Sequence, residues 1–461
     1  MRPEELHGKK ISILGAERSG IAAALLLARS GADVFVSDAA PLEKIRENVS
    51  VLAEQGIAFE SGAHSDRVYE AALIVVSPGV PSTAPVVVEA RKRQIPVVGE
   101  LEAASWFCHS PIIAVTGSNG KTTTTTLLDR MLFDAKKEHA TGGNIGTAFS
   151  AVVETVSAPA PVLLEVSSFQ LDTIERFRPN VAIVLNITQN HLNRYEYVME
   201  KYARAKARIA ENQTAEDVLI WNLDDEWSNK LLPSSPARQL QISVRSRVNE
   251  GAYLEEGILV SRLAGKSVPV IARDEISIKG EHNLYNAMAA VLAAQLLGVD
   301  TASIRATLRN FKGVEHRQEF VREVDGVTYI NNSKATTVEA VAAALKSYTQ
   351  PIVLILGGMD KGNDYSTIYD LVKEHVRAIV ATGASAETIV NNFSDKVQVE
   401  RVNTIGASMP NRVSMEKAVA VAASLAREGD IVLLAPACTS FDWFKDYEER
   451  GRVFKSVVNL L

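Results

Sequence analysis

Residues 111–123 read Pro-Ile-Ile-Ala-Val-Thr-Gly-Ser-Asn-Gly-Lys-Thr-Thr, and the rest of the chain is organised around them. The segment from Pro111 to Val115 is short, apolar and β-branched, which predicts a buried strand. The segment from Thr123 to Leu132 predicts the first turns of a helix. A strand that enters a helix through a glycine-rich turn forms an anion site, because the turn amides and the positive end of the helix dipole face one point.

The turn itself carries groups suited to a nucleoside triphosphate. Lys121 adds a full positive charge, and Thr122 has a hydroxyl suited to a Mg²⁺ that bridges two phosphates. The loop is shorter than the usual phosphate loop, because Val115 stands where that pattern has its first glycine. The alternative is a tight turn with a solvated lysine. We predict that the nucleotide is bound by Gly117, Ser118, Asn119, Gly120, Lys121, Thr122 and Thr123.

Composition and charge narrow the class of protein. A chain of 461 residues is too long for one ordinary domain, and we expect three. The apolar share of 46% and the charged share of 23%, without a long apolar run, are typical of a globular protein. The net charge of −6 offers no basic surface, so we expect neither nucleic acid nor a membrane as partner. Two cysteines and an N-terminus without an apolar run favour a cytoplasmic location.

Residues 1–99 form the first predicted domain, which starts with a βαβ unit. A strand at 11–15 and a helix at 19–30 lead to a second strand at 33–37. The turn from Gly15 to Gly20 lacks the middle glycine of the dinucleotide pattern, which argues against a nicotinamide cofactor but not against another nucleotide. Asp38 follows the second strand, where it is either a ligand for a ribose or base edge or a turn-forming aspartate.

Residues 100–313 form the second predicted domain, which carries three further candidates. Glu165 interrupts an apolar strand, where a lone carboxylate is costly; we predict magnesium ligation, with a structural ion pair as the alternative. His191 follows the next strand, at the edge where parallel sheets bind ligands, although a capping histidine also fits there. Lys206 comes fifteen residues later on a predicted helix, and its position alone predicts a solvated surface lysine.

The second domain ends with a pair of amides, and the third domain follows. Asn283 and Asn286 lie three residues apart at the start of a predicted helix and so share a face. Two carboxamides there suit an adenine edge, whereas helix capping is the alternative for Asn283.

Residues 314–461 form the third predicted domain, in which three strands end in polar turns at 331–337, 357–362 and 435–442. These turns predict a second α/β domain that closes on the phosphate site.

Taken in order, seven motifs resemble those of the Mur ligases, and the resemblance covers nearly the whole chain. They are the loop Thr116–Thr122, Glu165 with the following Val-Ser-Ser-Phe-Gln, the His191 segment, His282-Asn283 with Asn286, His316-Arg317, Asn332-Ser-Lys-Ala-Thr336 and Pro436-Ala-Cys438. The fold implied is α/β with three domains: a Rossmann-like N-terminal domain, a central P-loop-type ATPase domain with a parallel sheet, and a Rossmann-like C-terminal domain.

The resemblance implies a monomeric, ATP-dependent ligase of peptidoglycan synthesis, and some of its motifs point to the members that add D-glutamate. ATP would phosphorylate the terminal carboxylate of UDP-N-acetylmuramoyl-L-alanine, and the amine of D-glutamate would attack the acyl phosphate. The implied catalytic residues are Lys121, Glu165, His191, Lys206 and Lys334. Two Mg²⁺ sites are implied, with Thr122, Glu165 and His191 as ligands. Lys206 matches the family lysine that carbon dioxide converts into a metal-binding carbamate.

The same resemblance assigns the binding residues. The nucleotide contacts it implies are Asn283, Asn286, Arg317 and Asn332. The contacts to the UDP-sugar are Arg18, Ser19, Asp38, Ser77, Gly79 and Asn144, and Ser167 is a further substrate-binding residue. The D-glutamate pocket is matched by Thr336, Lys361, Ser440 and Phe441.

Several positions depart from the family pattern and leave alternatives open. Asn190, Asn193 and Asn332 stand where aspartates are usual, Thr337 replaces an asparagine, and Ala40 stands where some members place an arginine. An amide still forms hydrogen bonds but contributes no charge, which bears on metal and nucleotide binding. One alternative is the same chemistry with another amino acid such as L-glutamate. A second is a nucleotide-binding member with reduced catalysis, and a third, a nicotinamide oxidoreductase, rests only on the first βαβ unit.

Overall fold

The computed structural model describes residues 3–190, 192–360, 362–402 and 411–461. Three α/β domains follow one another along the chain, each built on its own mainly parallel sheet, which confirms the predicted fold class. Residues up to Phe311 form one compact unit with the first two sheets, and a second unit begins at Lys312. The bounds 1–99, 100–313 and 314–461 stay predictions, and we use them to name the domains.

The first domain is a doubly wound sheet in the strand order β3-β2-β1-β4-β5, with every neighbouring pair parallel. Its strands are β1 (Lys10–Leu14), β2 (Asp33–Asp38), β3 (Ala58–Ser61), β4 (Leu73–Val76) and β5 (Val97–Gly99). Its helices are α1 (Arg18–Arg29), α2 (Leu42–Glu54) and α3 (Pro85–Lys92), and α4 (Glu100–Ser105) follows β5 at the start of the central domain. In this strand order the switch point lies between β1 and β4, where ligands bind at the carboxyl ends of the strands.

The central domain has nine strands in the order β14-β13-β12-β11-β10-β9-β6-β8-β7. They are β6 (Ile112–Thr116), β7 (Ala140–Gly143), β8 (Val162–Glu165), β9 (Val181–Val184), β10 (Val218–Asn222), β11 (Arg238–Ser243), β12 (Gly251–Glu255), β13 (Ile258–Leu263) and β14 (Lys266–Ala272). The helices are α5 (Lys121–Asp134), α6 (Phe149–Val152), α7 (Ser168–Leu171), α8 (Met199–Ala207), α9 (Glu226–Leu231), α10 (Glu281–Leu296) and α11 (Thr301–Asn310). Only the β12-β13-β14 edge is antiparallel.

The central strand β6 is packed on both faces, and it leads into the loop at residues 117–120, which we call the phosphate loop after its predicted role. Ile113 and Val115 pack in the core that faces α5 and α10, whereas Ile112 and Ala114 pack in the core on the opposite face. A strand that is apolar on both faces is typical of the middle of a parallel sheet covered by helices on each side. The loop that follows β6 therefore starts from one of the best-buried points in the molecule.

Two buried carboxylates of α4, Glu100 and Glu102, hold the segment that follows β5 within the central domain. Glu102 Oε2 accepts the backbone N–H groups of residues 175–177 at 2.9–3.0 Å. Glu100 Oε1 accepts both the backbone N–H and the hydroxyl of Ser150 at 2.7 Å. Burial raises the pKa of the Glu100 carboxyl. These bonds fix the segment after β5 against the rest of the central domain.

The last domain carries six strands in the order β15-β16-β20-β17-β18-β19. They are β15 (Glu319–Val324), β16 (Val327–Asn331), β17 (Ile352–Gly357), β18 (Val376–Thr382), β19 (Gln398–Arg401) and β20 (Ile431–Leu434). The helices are α12 (Val338–Leu345), α13 (Tyr369–His375), α14 (Ala386–Phe393), α15 (Arg412–Leu425) and α16 (Tyr447–Val458). The edge strand β15 pairs antiparallel with β16 through a turn at Asp325-Gly326, a residue pair that is typical of tight hairpins. Among the described helices, none combines the length and apolar character needed to cross a bilayer.

Candidate active site

The phosphate loop lies between β6 and α5, as predicted. Gly117 and Gly120 have φ angles of +157° and +85°, a conformation that favours glycine. The loop is held by Asn186, whose carbonyl accepts Ser118 N–H and whose side-chain oxygen accepts Asn119 N–H, both at 2.9 Å. The N–H groups of the first turn of α5 have no carbonyl one turn earlier and face the loop, as an anion site requires.

Glu165 ends β8, the strand next to β6, and its side chain is 3% exposed. Its Oε2 accepts the Thr122 hydroxyl at 2.7 Å, and its Oε1 accepts the Asn144 amide at 2.7 Å. Asn144 also donates its backbone N–H to the Glu165 carbonyl at 2.8 Å. Two neutral donors satisfy the buried carboxylate, so the alternative of a structural ion pair finds no support in these contacts.

Lys206 is buried, with 1% of its surface exposed, so the expectation of a solvated lysine from its position was wrong. Its ammonium donates to the Gly117 carbonyl at 2.8 Å and lies 4.9 Å from the centre of the Tyr202 ring. Burial lowers the pKa of Lys206 well below its usual range, and the nearby charge of Lys121 lowers it further. The chain turns back after β9, which is how α8 brings this residue under the loop.

Two residues at this site were not among the predicted ones. Asn186 follows β9 and binds the phosphate loop; its place as a polar residue after an apolar strand was a usable signal. Tyr202 on α8 lies with its hydroxyl 3.0 Å from the Ser118 hydroxyl, and burial raises its pKa to about 12. In the sequence Tyr202 only marks an apolar helix stripe, so no local pattern separated it from core residues.

The two predicted amides lie at the start of α10, beside the phosphate loop. Asn286 is 2% exposed, and a Cβ on Gly120 would stand 2.2 Å from its side-chain oxygen. Asn286 donates to the Asn283 side-chain oxygen at 3.0 Å, and Asn283 donates to the Lys279 carbonyl at 2.7 Å. Gly280 occupies the N-cap of this helix, so Asn283 is not the cap.

The predicted UDP-sugar residues gather at the carboxyl edge of the first sheet, around a cavity of about 460 Å³. Of the predicted set, this cavity is lined by Arg18, Ser19, Asp38, Ser77, Gly79 and Asn144. Asp38 accepts the backbone N–H groups of Ala16 and Ala40 at 2.6 and 2.7 Å, so it shapes the turn and also lines the cavity. Ser167 is the N-cap of α7 in a capping box with Gln170.

In the last domain, a strained turn presents Arg317. The residues on either side, His316 and Gln318, have φ angles of +64° and +46°. Gln318 donates its backbone N–H to the Asn332 side-chain oxygen at 3.2 Å, and Lys334 donates its own to the His316 carbonyl at 3.1 Å. Arg317, Asn332 and Lys334 therefore belong to one loop cluster, which the separate motifs did not reveal.

The predicted D-glutamate residues differ in exposure. Ser440 is 2% exposed, whereas Phe441 is 54% exposed, and Thr336 is half-buried. The hydroxyl of Thr337 caps α12 through Ala340 N–H at 3.3 Å. Lys361 and His191 lie outside the described residues.

Comparisons with known proteins show the family of the chain. Three family models match: "MurD N-terminal domain" at residues 10–86, "Mur ligase middle domain" at 115–294 and "Mur ligase, glutamate ligase domain" at 316–438. A protein of Chloroherpeton thalassium named UDP-N-acetylmuramoylalanine–D-glutamate ligase is 45% identical, covering 99% of each chain. One of the same name from Chlorobaculum tepidum is 44% identical over 100% of both. The chain belongs to the Mur ligase family.

Solved structures show the same fold at low identity. The UDP-N-acetylmuramate-alanine ligase MurC of Thermotoga maritima is 21% identical, with a TM-score of 0.58 over 98% of this chain and 99% of that one. MurF of Acinetobacter baumannii is 16% identical, with a TM-score of 0.58 over 97% of this chain and 93% of that one.

Proposed function

We propose that this protein is an ATP-dependent ligase that joins D-glutamate to UDP-N-acetylmuramoyl-L-alanine in peptidoglycan synthesis. One observation carries the proposal beyond the similarity. Glu165 binds Thr122 of the phosphate loop with one oxygen and Asn144 of the cavity wall with the other. The candidate triphosphate site and the candidate UDP-sugar site therefore meet at one buried carboxylate.

The donor set at this point fits Mg²⁺. A carboxylate and a hydroxyl are the hard oxygen ligands that magnesium takes together with phosphate oxygens. In the proposal, Thr122 and Glu165 hold one ion, and His191 contributes to a second. When bound, Mg²⁺ would neutralise the negative charge that shifts from one phosphate oxygen to another during the transfer.

The chemistry then consists of two transfers. A carboxylate oxygen of the muramoyl-alanine attacks the γ-phosphorus, and the bond from that phosphorus to the ADP oxygen breaks. The D-glutamate amine then attacks the acyl carbon, loses a proton, and expels inorganic phosphate. Lys121 and Lys334 hold the phosphates, so that catalysis rests on positioning and charge neutralisation.

Lys206 fits the proposed carbamate. An amine reacts with carbon dioxide only when neutral, and burial together with Lys121 disfavours its charged form. The carbamate is an anion, which would replace the repulsion between two ammonium groups by an attraction. This change supports carbamylation of Lys206, although Glu165 and Asp172 act in the opposite direction on its pKa.

The remaining roles follow the family pattern. Nucleotide contacts are proposed for Asn283, Asn286, Arg317 and Asn332. The D-glutamate pocket is proposed to comprise Thr336, Lys361, Ser440 and Phe441. We further propose a cytoplasmic monomer whose last domain closes over ATP.

A phosphate-release assay tests the function directly. With ATP, Mg²⁺, bicarbonate and UDP-N-acetylmuramoyl-L-alanine, we expect release to depend on D-glutamate and not on L-glutamate. Glu165→Gln should lower kcat at least about 100-fold, because it removes the metal-binding charge. Glu175→Gln, an exposed carboxylate of the same domain, is the control. Phosphate release with L-glutamate only would show that the protein adds L-glutamate instead. ATP binding without turnover would show that it is a nucleotide-binding family member with reduced catalysis.

A further inference from the structure

Arg194, in the loop after β9, reaches the first domain. Arg194 donates from Nη1 to the Pro78 carbonyl at 3.1 Å and from Nη2 to the Gly79 carbonyl at 2.8 Å. One planar guanidinium thus binds two successive carbonyls of the turn that follows β4. Hydrogen bonds from a charged donor are stronger than those between neutral groups.

The central domain fixes the position of this guanidinium. It lies 4.1 Å from the centre of the Phe169 ring, a cation–π contact. That ring stacks on Tyr195 at 6.2 Å, and the Tyr195 hydroxyl donates to Asp172 at 3.0 Å. Arg194 is therefore held by one domain while it binds the backbone of the other.

The turn that Arg194 binds lines two cavities. One is the 460 Å³ cavity, which Ser77, Pro78 and Gly79 line, and the other is a cavity of about 370 Å³, which Ser77, Pro78 and Arg194 line. Ser77, at the start of the turn, is held by the first domain itself, because its hydroxyl donates to the Gly15 carbonyl at 3.2 Å. In contrast, the carbonyls of Pro78 and Gly79 accept hydrogen bonds from Arg194 of the central domain, so this part of the cavity wall is held by that domain.

We infer that Arg194 is a positioning residue for the nucleotide-sugar substrate. It holds the Pro78–Gly79 turn against the central domain, and so it sets the width of the 460 Å³ cavity. The inference rests on the proposed function, in which that cavity takes the UDP-sugar. ATP binds elsewhere in that proposal, so the role of Arg194 is specific to one of the substrates.

Three variants of the full chain test this role. Arg194→Met keeps a long side chain to pack on Phe169 but has no donor, and Arg194→Lys keeps the charge but not the paired donors. Arg208→Lys is the matched control, because Arg208 also donates to two backbone carbonyls, those of Leu171 and Ile174, but within the central domain. The KM for each substrate, kcat and the thermal midpoint are measured for all three.

We expect Arg194→Met to raise the KM for UDP-N-acetylmuramoyl-L-alanine at least about tenfold while the KM for ATP changes less than about twofold. Arg194→Lys should restore part of this loss, and Arg208→Lys should leave both KM values unchanged. Equal increases in both KM values, or a lower thermal midpoint with unchanged KM values, would show a merely structural role. Wild-type protein without turnover would overturn the proposed function itself, whereas wild-type turnover with an unchanged KM in Arg194→Met overturns only this inference.

Discussion

The side-chain nitrogens of Lys121 and Lys206 both donate to the carbonyl oxygen of Gly117, each at 2.8 Å. Two lysine side chains thus converge on one acceptor beneath the phosphate loop. Lys121 starts α5 and is partly buried, whereas Lys206 is fully buried, and this burial lowers the pKa of the Lys206 amine. The carbamate proposed for Lys206 would replace the unfavourable interaction between two lysine amines by an attraction to Lys121.

Lys206→Ala should therefore abolish measurable phosphate release, and added short carboxylic acids should restore part of it. The acid would supply the negative charge that the carbamate provides. Lys201→Ala is the matched control, because Lys201 lies on the same helix with its side chain 49% exposed. Full activity of the wild type in bicarbonate-free buffer, or no recovery with the acid, would contradict a carbamate at Lys206.

Gly120→Ala should abolish ATP binding while the protein stays folded. Its φ of +85° costs an alanine about 1–2 kcal/mol, and its Cβ would meet Asn286 at 2.2 Å. Calorimetric titration with a non-hydrolysable ATP analogue measures the loss. Gly265→Ala has a similar φ of +74° but nothing within 4 Å, so it should lower stability alone. If both variants bind ATP with equal affinity, the close approach of residue 120 to Asn286 does not matter for ATP binding.

Gly451→Ala should destabilise the last domain, although alanine normally stabilises a helix interior. The new Cβ would lie 2.1 Å from Nδ1 of His316, which is 3% exposed. We expect a loss of about 1–3 kcal/mol from overpacking, and a higher KM for ATP because His316 precedes Arg317. Unfolding curves and ATP titrations of both single variants and of His316→Ala/Gly451→Ala measure the coupling. The double variant should lose less than the sum of the single losses, and simple additivity would contradict the clash.

His139 should make stability fall as the pH rises above about 6.5, the ordinary pKa of a histidine. Both ring nitrogens face acceptors, Asp129 Oδ1 at 3.2 Å and the Lys137 carbonyl at 2.8 Å, and the bond to Asp129 raises the pKa of His139. A raised pKa in the folded state means that the stabilisation is complete below the unfolded pKa and is lost as the pH passes through the folded one.

His139→Gln should remove this dependence, which for one proton is at most about 1.4 kcal/mol per pH unit. Apparent thermal midpoints at several values between pH 6 and 9 measure it. Thr141→Val is the control, because it removes the other donor to Asp129 without removing a titrating group. If the wild type and His139→Gln lose stability in parallel, His139 is not the titrating group.

Local patterns in the chain were sufficient for the phosphate loop. The strand β6, the two glycines and the start of α5 are adjacent in sequence, so short-range sterics and the helix dipole specify the site. Glu165 was also recognisable as a candidate site residue, because burying a carboxylate within an apolar strand costs free energy unless a ligand or a partner offsets that cost. The hairpin turn at Asp325 and Gly326 followed from its residue types, and both have positive φ angles.

Long-range contacts decided the rest. Lys206 looks like a surface residue along the chain, and only the return of α8 beneath the sheet buries its amine and lowers its pKa. Asn186, Tyr202 and Arg194 act through residues between 67 and 116 positions away. Periodicity and turn chemistry describe a few neighbouring residues, whereas burial, pKa and the pairing of remote side chains depend on which elements the sheet order brings together.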